Sequence, residues 1–294
     1  MATAAAPQSS PAPSYPAFKV LRVEREGQVG ILTLSNPAKL NAMGPDFWSE
    51  FPKAMEALGS DPEVRCIIVQ AEGKAFTAGL DLMSMGGTLQ GGGGSGAGNM
   101  NPATSVAGRK RFLDEVRRLQ DSITAAEKCP KPVIAAIHGA CIGGGVDLAT
   151  ACDIRLATRD AKFSIRETRI AMVADVGTLQ RLPRILGRGL AAELAYTGKD
   201  FSGQYAKDIH LVNEVFDTIE ALRAGARKLA EEIAANSPLA VQGTKHVLRA
   251  CEDKTVAEGL DYVALWNSAF LTSEDLTEAI LAWMQKRPAK FKGR

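Results

Sequence analysis

Charge of one sign is missing from this chain: 35 basic side chains stand against 33 acidic ones in 294 residues, a net charge of +2. That balance argues against nucleic acid or an anionic membrane surface as partner, since both select a basic excess. Cysteine is scarce and unpaired. Cys66, Cys129, Cys141, Cys152 and Cys251 are odd in number, scattered, and contain no Cys-x-x-Cys spacing. They argue against a disulfide frame and for reduced, buried thiols in an intracellular compartment. No apolar run approaches the length of a membrane span. Residues 1–16 lack the apolar core of a secretory signal and the arginines of a mitochondrial presequence, so they are expected to form a disordered tail without an organellar address. His138, His210 and His246 have no serine or cysteine in a nucleophile context nearby, which points to structural roles.

What is present is an ordinary globular composition, 46% hydrophobic and 23% charged, long enough for one large domain or two small ones. Val20 to Glu24 and Val29 to Leu34 predict a hairpin around Glu26-Gly27. A helix follows from Pro45 with Phe47, Phe51, Met55 and Leu58 on one face and a kink expected at Pro52. Val64 to Val69 and Val133 to Ile137 are continuous apolar runs, as in strands covered on both faces of a parallel sheet. Between them Phe112, Val116, Leu119 and Ile123 mark an amphipathic helix. Gly86 to Gly108 has no periodicity and is expected to be a mobile loop serving as an entrance flap. Its Gly91 to Gly94 run lacks the Lys-Ser/Thr ending of a phosphate-binding P-loop. Helices are predicted over 178–186, 189–197, 219–236, 238–251, 256–271 and 274–286, with Trp266, Phe270, Leu276, Ile280 and Trp283 assigned to core first and subunit packing second. Strand and helix alternating in this way mean a crossover α/β architecture with active groups on loops at strand carboxyl ends.

The densest chemistry lies between His138 and Gln180. The triple glycine Gly143 to Gly145 leaves backbone amides open to close approach, and Asp147 would project from the first turn of the helix after it. A second strand is expected over Phe163 to Ile165, followed by Glu167 and Asp175 in a segment too poor in charge to be a solvated face. Taken singly, Asp147 reads as a cap and Asp175 as a turn residue. Three carboxylates beside an amide-lined glycine run suit proton abstraction next to a carbonyl instead. That chemistry needs a carboxylate base and N–H donors aimed at the oxygen that gains charge. Leu80, in the loop Phe76-Thr-Ala-Gly-Leu-Asp-Leu82, and Gly144 supply the candidate amides.

The segments KAFTAGLDL, HGACIGGGVD, ACDIRLA and GTLQRLPRILG resemble the enoyl-CoA hydratase/isomerase (crotonase) family from about Val20 to the C-terminus. The resemblance implies an α/β spiral of ββα turns over 17–200 and a C-terminal helical trimerisation region over 201–294. It implies an acyl-CoA thioester as substrate, with coenzyme A entering only as that thioester, no other cofactor, no metal, and a homo-oligomer built as a trimer or a dimer of trimers. Leu80 and Gly144 would form the oxyanion hole, with Ala78, Gly79, Leu80, Asp81 and Leu82 along the thioester. Asp147, Glu167 and Asp175 together resemble the branch that converts 3,5-dienoyl-CoA to 2,4-dienoyl-CoA in fatty-acid β-oxidation, whereas hydratases carry a glycine in place of Asp175. This implies that Asp175 serves carbon 2 and Glu167 carbon 6, or the reverse, while Asp147 tunes their charge. A 2-enoyl-CoA hydratase and a non-catalytic acyl-CoA- or RNA-binding homologue are the alternatives. The expected compartment is the cytoplasm of a bacterium, or a peroxisome or mitochondrion of a eukaryote. His210 stands where the family has a helix-ending glycine, which puts the local backbone there in question.

Overall fold

The computed structural model describes residues 15–89 and 105–294. The elements in chain order are β1 (Leu21–Glu26), β2 (Val29–Leu34), α1 (Pro45–Ser60), β3 (Cys66–Ala71), α2 (Leu82–Leu89), α3 (Val106–Lys128), β4 (Val133–Ile137), β5 (Ala140–Ile142), α4 (Gly144–Ala151), β6 (Ile154–Thr158) and β7 (Lys162–Ser164). They continue as α5 (Thr178–Leu186), α6 (Arg188–Thr197), β8 (Phe201–Ser202), α7 (Gly203–Asp208), β9 (Glu214–Phe216), α8 (Ile219–Ala234), α9 (Pro238–Ala250), α10 (Val256–Phe270) and α11 (Glu274–Met284). Two short 3-10 turns, Pro37–Lys39 and Glu167–Ile170, complete the described secondary structure.

Among the described residues the strands form a six-stranded sheet, β1-β2-β3-β4-β6-β9, and a three-stranded sheet, β5-β7-β8. The first pair is antiparallel and β2, β3, β4, β6 and β9 run parallel, with β3 and β4 covered on both faces. Each turn of the chain gives one strand to the large sheet and then crosses to the small one. After β4 comes β5 and after β6 comes β7, paired in register from Ala140↔Lys162 to Ile142↔Ser164. The earlier turns make the same crossing with single bridges, Thr77↔Cys141 after β3 and Met43↔Leu80 after β2. A helix follows each crossing. This is a spiral of ββα turns, and it stacks the residues just after each second strand into one column.

The core lies between the large sheet and α1, α3 and α4, with Phe51, Phe76, Phe163, Met55 and Leu58 fully enclosed. Helix α1 runs through Pro52 without a break. A second apolar layer sits on the opposite face of the sheet, where Leu222, Ala226 and Ala230 of α8 cover Ile68, Ile134 and Leu156. Beyond residue 200, β9 pairs with β6 and α8 packs on the large sheet. Tyr15 and Phe18 pack against the core, and the Tyr15 hydroxyl donates to Asp61 Oδ2 at 2.5 Å.

Three further expectations are adjusted. The strand expected over Phe163 to Ile165 begins one residue earlier, at Lys162. The loop expected over Gly86 to Gly108 is helical at both ends, in α2 and α3, and residues 90–104 lie outside the described residues. The large apolar groups of α10 and α11 are not core: α10 buries no residue, and Phe270, Leu276, Ile280 and Trp283 are exposed. All five cysteines are free and four are buried, Cys251 being half-buried.

Candidate active site

The oxyanion loop is held on both sides by the backbone of its neighbours. Phe76 N–H donates to His138 O at 2.8 Å and Thr77 N–H to Ala140 O at 2.9 Å, while Ala78 N–H donates to Leu40 O at 2.9 Å and Met43 N–H to Gly79 O at 2.7 Å. The Thr77 hydroxyl donates to Asn41 O at 2.7 Å and accepts from Gly79 N–H at 3.0 Å. Gly79 turns through φ 86°, where a Cβ would stand 2.5 Å from Ile142 O and 3.6 Å from Gly144 N. Only glycine allows the loop to come so close to the start of α4. Among the described residues, the Leu80 and Gly144 amides donate to no protein acceptor. They are free N–H groups at the wall of one cavity, and Gly144 also opens the positive end of α4.

That cavity, about 150 Å³, is lined by Ala78, Gly79, Leu80, Leu82, Gly143 and Gly144 and by the three acids Asp147, Glu167 and Asp175. Apolar groups, including Trp48, Met85, Phe112, Leu119 and Ile170, make up much of the rest. Among the predicted substrate contacts Asp81 is the exception. Its carboxylate accepts from Lys39 Nζ at 3.2 Å and Ser84 N–H at 3.1 Å, and it does not reach the cavity. The resemblance placed the whole segment from Ala78 to Leu82 along the thioester, but an irregular segment does not turn every side chain to one side.

The three acids occupy different environments. Asp147 is fully buried on α4; its Oδ1 accepts from the Thr178 N–H at the start of α5 at 2.5 Å, and its Oδ2 has no partner. Burial pushes its carboxyl up to about 6, against the pull of the Thr178 hydrogen bonds. Asp147 does not cap its own helix, whose N-cap is Gly143; its Oδ1 instead takes the first amide of α5, 31 residues downstream. Glu167 opens the 3-10 turn after β7 and folds back over Gly143, whose φ of 52° and missing Cβ leave room for it; a Cβ there would be 3.0 Å from Glu167 Oε1. Glu167 Oε2 is buried and unpartnered. Burial, with the charge of Asp147 behind it, lifts this carboxyl to about 7. Asp175 sits at the mouth, exposed to solvent, and the surrounding protein still raises its carboxyl above the ordinary range. Among the described residues no three His, Cys, Asp or Glu side chains converge closely enough to hold a metal ion.

Several lining residues carried no sequence signal. Glu115 lines the cavity but is neutralised by Arg118, at 2.8 and 2.7 Å, and Arg166 is paired with Asp200. Trp48 donates to Met43 O at 3.0 Å from the opposite side of the loop. Trp48 and Glu115 lie outside the apolar faces that the helical periodicity of α1 and α3 marks, so only the tertiary structure brings them to the cavity. The histidines are elsewhere. His138 is buried against Gly73 O at 3.0 Å, His246 stacks on Trp266 with ring centroids 4.5 Å apart, and His210 takes φ 63° at the end of α7. The last value is the left-handed conformation that the missing glycine implied.

The profile of the family described as enoyl-CoA hydratase/isomerase matches residues 24–101 and 103–294. The protein named Delta(3,5)-Delta(2,4)-dienoyl-CoA isomerase, peroxisomal, from Arabidopsis thaliana is 48% identical over 278 residues, covering 95% of this chain and 98% of that protein. The mitochondrial protein of the same name from Dictyostelium discoideum is 45% identical, covering 94% and 92%. In three dimensions the crystal structure of enoyl-CoA hydratase from Bacillus anthracis superposes with a TM-score of 0.83 at 28% identity, covering 94% of this chain and all of that one. The spiral of ββα turns, the two open amides and these similarities agree: the chain belongs to the enoyl-CoA hydratase/isomerase family.

Proposed function

We propose that this protein isomerises 3,5-dienoyl-CoA to 2,4-dienoyl-CoA in fatty-acid β-oxidation. The carrying observation is the pairing, in one cavity beneath two unpaired amides, of a carboxyl raised to about 7 at Glu167 with a solvent-open carboxylate at Asp175. The thioester oxygen accepts from the Leu80 and Gly144 amides, which favours the charge that develops there. Asp175 removes a proton from carbon 2. Electrons move from carbon 2 along the chain, so the double bonds pass from carbons 3 and 5 to carbons 2 and 4, and Glu167 delivers a proton to carbon 6. At neutral pH a group at about 7 is part protonated and suited to that donation. Asp147 touches neither carbon in this scheme; its buried charge raises Glu167. The thioester is the substrate, and no other cofactor takes part.

Asp175→Asn and Glu167→Gln should each lower turnover about a hundredfold to ten-thousandfold, with little change in binding, and Asp147→Asn should cost less. The assay is the ultraviolet absorbance change as a 3,5-dienoyl-CoA becomes conjugated with its thioester. Full isomerisation by a folded Asp175→Asn variant overturns the two-carboxylate scheme. Brisk hydration of a 2-enoyl-CoA by the wild type, without dienoyl isomerisation, supports the hydratase instead.

The same proposal includes a trimer or a pair of stacked trimers. Leu260, Leu265, Phe270, Ile280 and Trp283 are exposed on α10 and α11, more apolar surface than a solitary subunit keeps in water. The compartment is a peroxisome or mitochondrion if the source is a eukaryote, by analogy with the names of the relatives, and the cytoplasm if it is a bacterium.

A further inference from the structure

Asp175 lies on a short irregular segment, and side chains of α3 and α5 hold that segment. Gln120, Thr124 and Glu127 lie on one stripe of α3, next to the stripe that faces the cavity through Phe112, Val116 and Leu119. Gln120 Nε2 donates to the Asp175 carbonyl at 2.7 Å. Arg181, in the second turn of α5, donates through Nε to Glu127 Oε2 at 2.7 Å, through Nη2 to Thr124 Oγ1 at 3.0 Å and through Nη1 to Val176 O at 3.4 Å. Its guanidinium lies against Gly177, where φ is 131° and a Cβ would overlap Nη1. Arg249 of α9 approaches the other oxygen of Glu127 at 4.0 Å. The planar guanidinium is thus fixed by three different partners, two on α3 and one on the backbone next to Asp175.

We propose that Gln120 and the Arg181–Glu127 pair are positioning residues that set the place of the Asp175 carboxylate over the reacting chain. They do not touch substrate: the first binds the Asp175 backbone, and the second clamps Val176 and Gly177 to α3. The inference rests on the acid–base role given to Asp175 above. Asp175 is exposed and its carboxylate is hydrogen-bonded by its own backbone N–H, so its aim is decided by the backbone that carries it. A displacement on the order of 1 Å at such a group costs roughly a hundredfold in rate.

The test is a set of double-mutant cycles read by steady-state isomerisation of a 3,5-dienoyl-CoA. Gln120→Met, at a solvent-exposed position where the fold is retained, and Arg181→Met should lower kcat about tenfold to a hundredfold with KM changed by less than about threefold. Arg181→Lys should recover part of the loss. Against Asp175→Asn, neither change should alter the residual rate by more than about twofold, because the group they aim is gone. A merely structural role predicts losses that multiply in that background, and this result overturns the clamp. Wild-type kcat in Gln120→Met and Arg181→Met, with Asp175→Asn inactive, also overturns it while leaving the acid–base scheme intact. Full turnover by Asp175→Asn removes the scheme itself, and the clamp with it.

Discussion

Replacing Glu167 by glutamine should remove a pH-dependent weakness from the folded protein. Burial and the charge of Asp147 lift this carboxyl from 4.5 to about 7. At about 1.4 kcal/mol per pH unit, a rise of about 2.5 is worth roughly 3 kcal/mol of preference for the neutral form. The folded protein keeps this proton where the unfolded chain has already released it. The stability it brings is therefore complete below pH 4.5 and is lost as pH rises through about 7. Glutamine holds the same shape without ionising. Urea denaturation at pH 5 and pH 8 checks this, at one fixed protein concentration, because the proposed subunit association would add to apparent stability. Between those two conditions the variant should gain roughly 2 to 3 kcal/mol on the wild type, since part of the loss is already complete at pH 5. The variant should also be nearly inactive, a stability gain made at the expense of function. Parallel stability curves for the two proteins, or a wild type that gains on the variant as pH rises, would refute a buried, raised carboxyl at Glu167.

Gly79→Ala should lower kcat and destabilise the protein by about 2 kcal/mol, since its Cβ would meet Ile142 O at 2.5 Å in a left-handed conformation; thermal melting and turnover read this, and a stable variant of normal rate contradicts the oxyanion-loop geometry. His210→Gly should stabilise by up to about 1 kcal/mol because the left-handed φ of 63° penalises a Cβ, and His210→Val should destabilise by a similar amount; the order of urea midpoints decides. Sedimentation at micromolar concentration should find a trimer or hexamer, and a stable folded monomer would contradict the proposed use of α10 and α11.

Helices were the most legible part of the chain because their signals are local. The six helices expected from Thr178 onward lie within two residues of their expected limits, and the short α7 between them was not expected. Thr218, Ser237, Thr255 and Ser273 each accept the backbone N–H that starts the following helix, and Thr255 with Glu258 closes a full capping box. The buried strands β3 and β4 were legible for a similar reason, as continuous apolar runs. The glycine run was also readable, because a positive φ at Gly143 and a close approach at Gly79 leave few other residues admissible.

What the chain determined by itself was therefore the order of elements, the bare amides and the three acids. Tertiary structure decided how they meet. That Asp147 spends one oxygen on Thr178, that Gln120 reaches Asp175 across 55 positions, and that Tyr15 docks on Asp61 are long-range contacts with no local pattern. The direction of Asp81, away from the cavity, follows from Lys39 and Ser84 rather than from its place in the loop. Even the chemical character of the acids came from packing. Asp147 rises from 3.8 to about 6 and Glu167 from 4.5 to about 7 because each lost water and gained neighbours when the spiral closed.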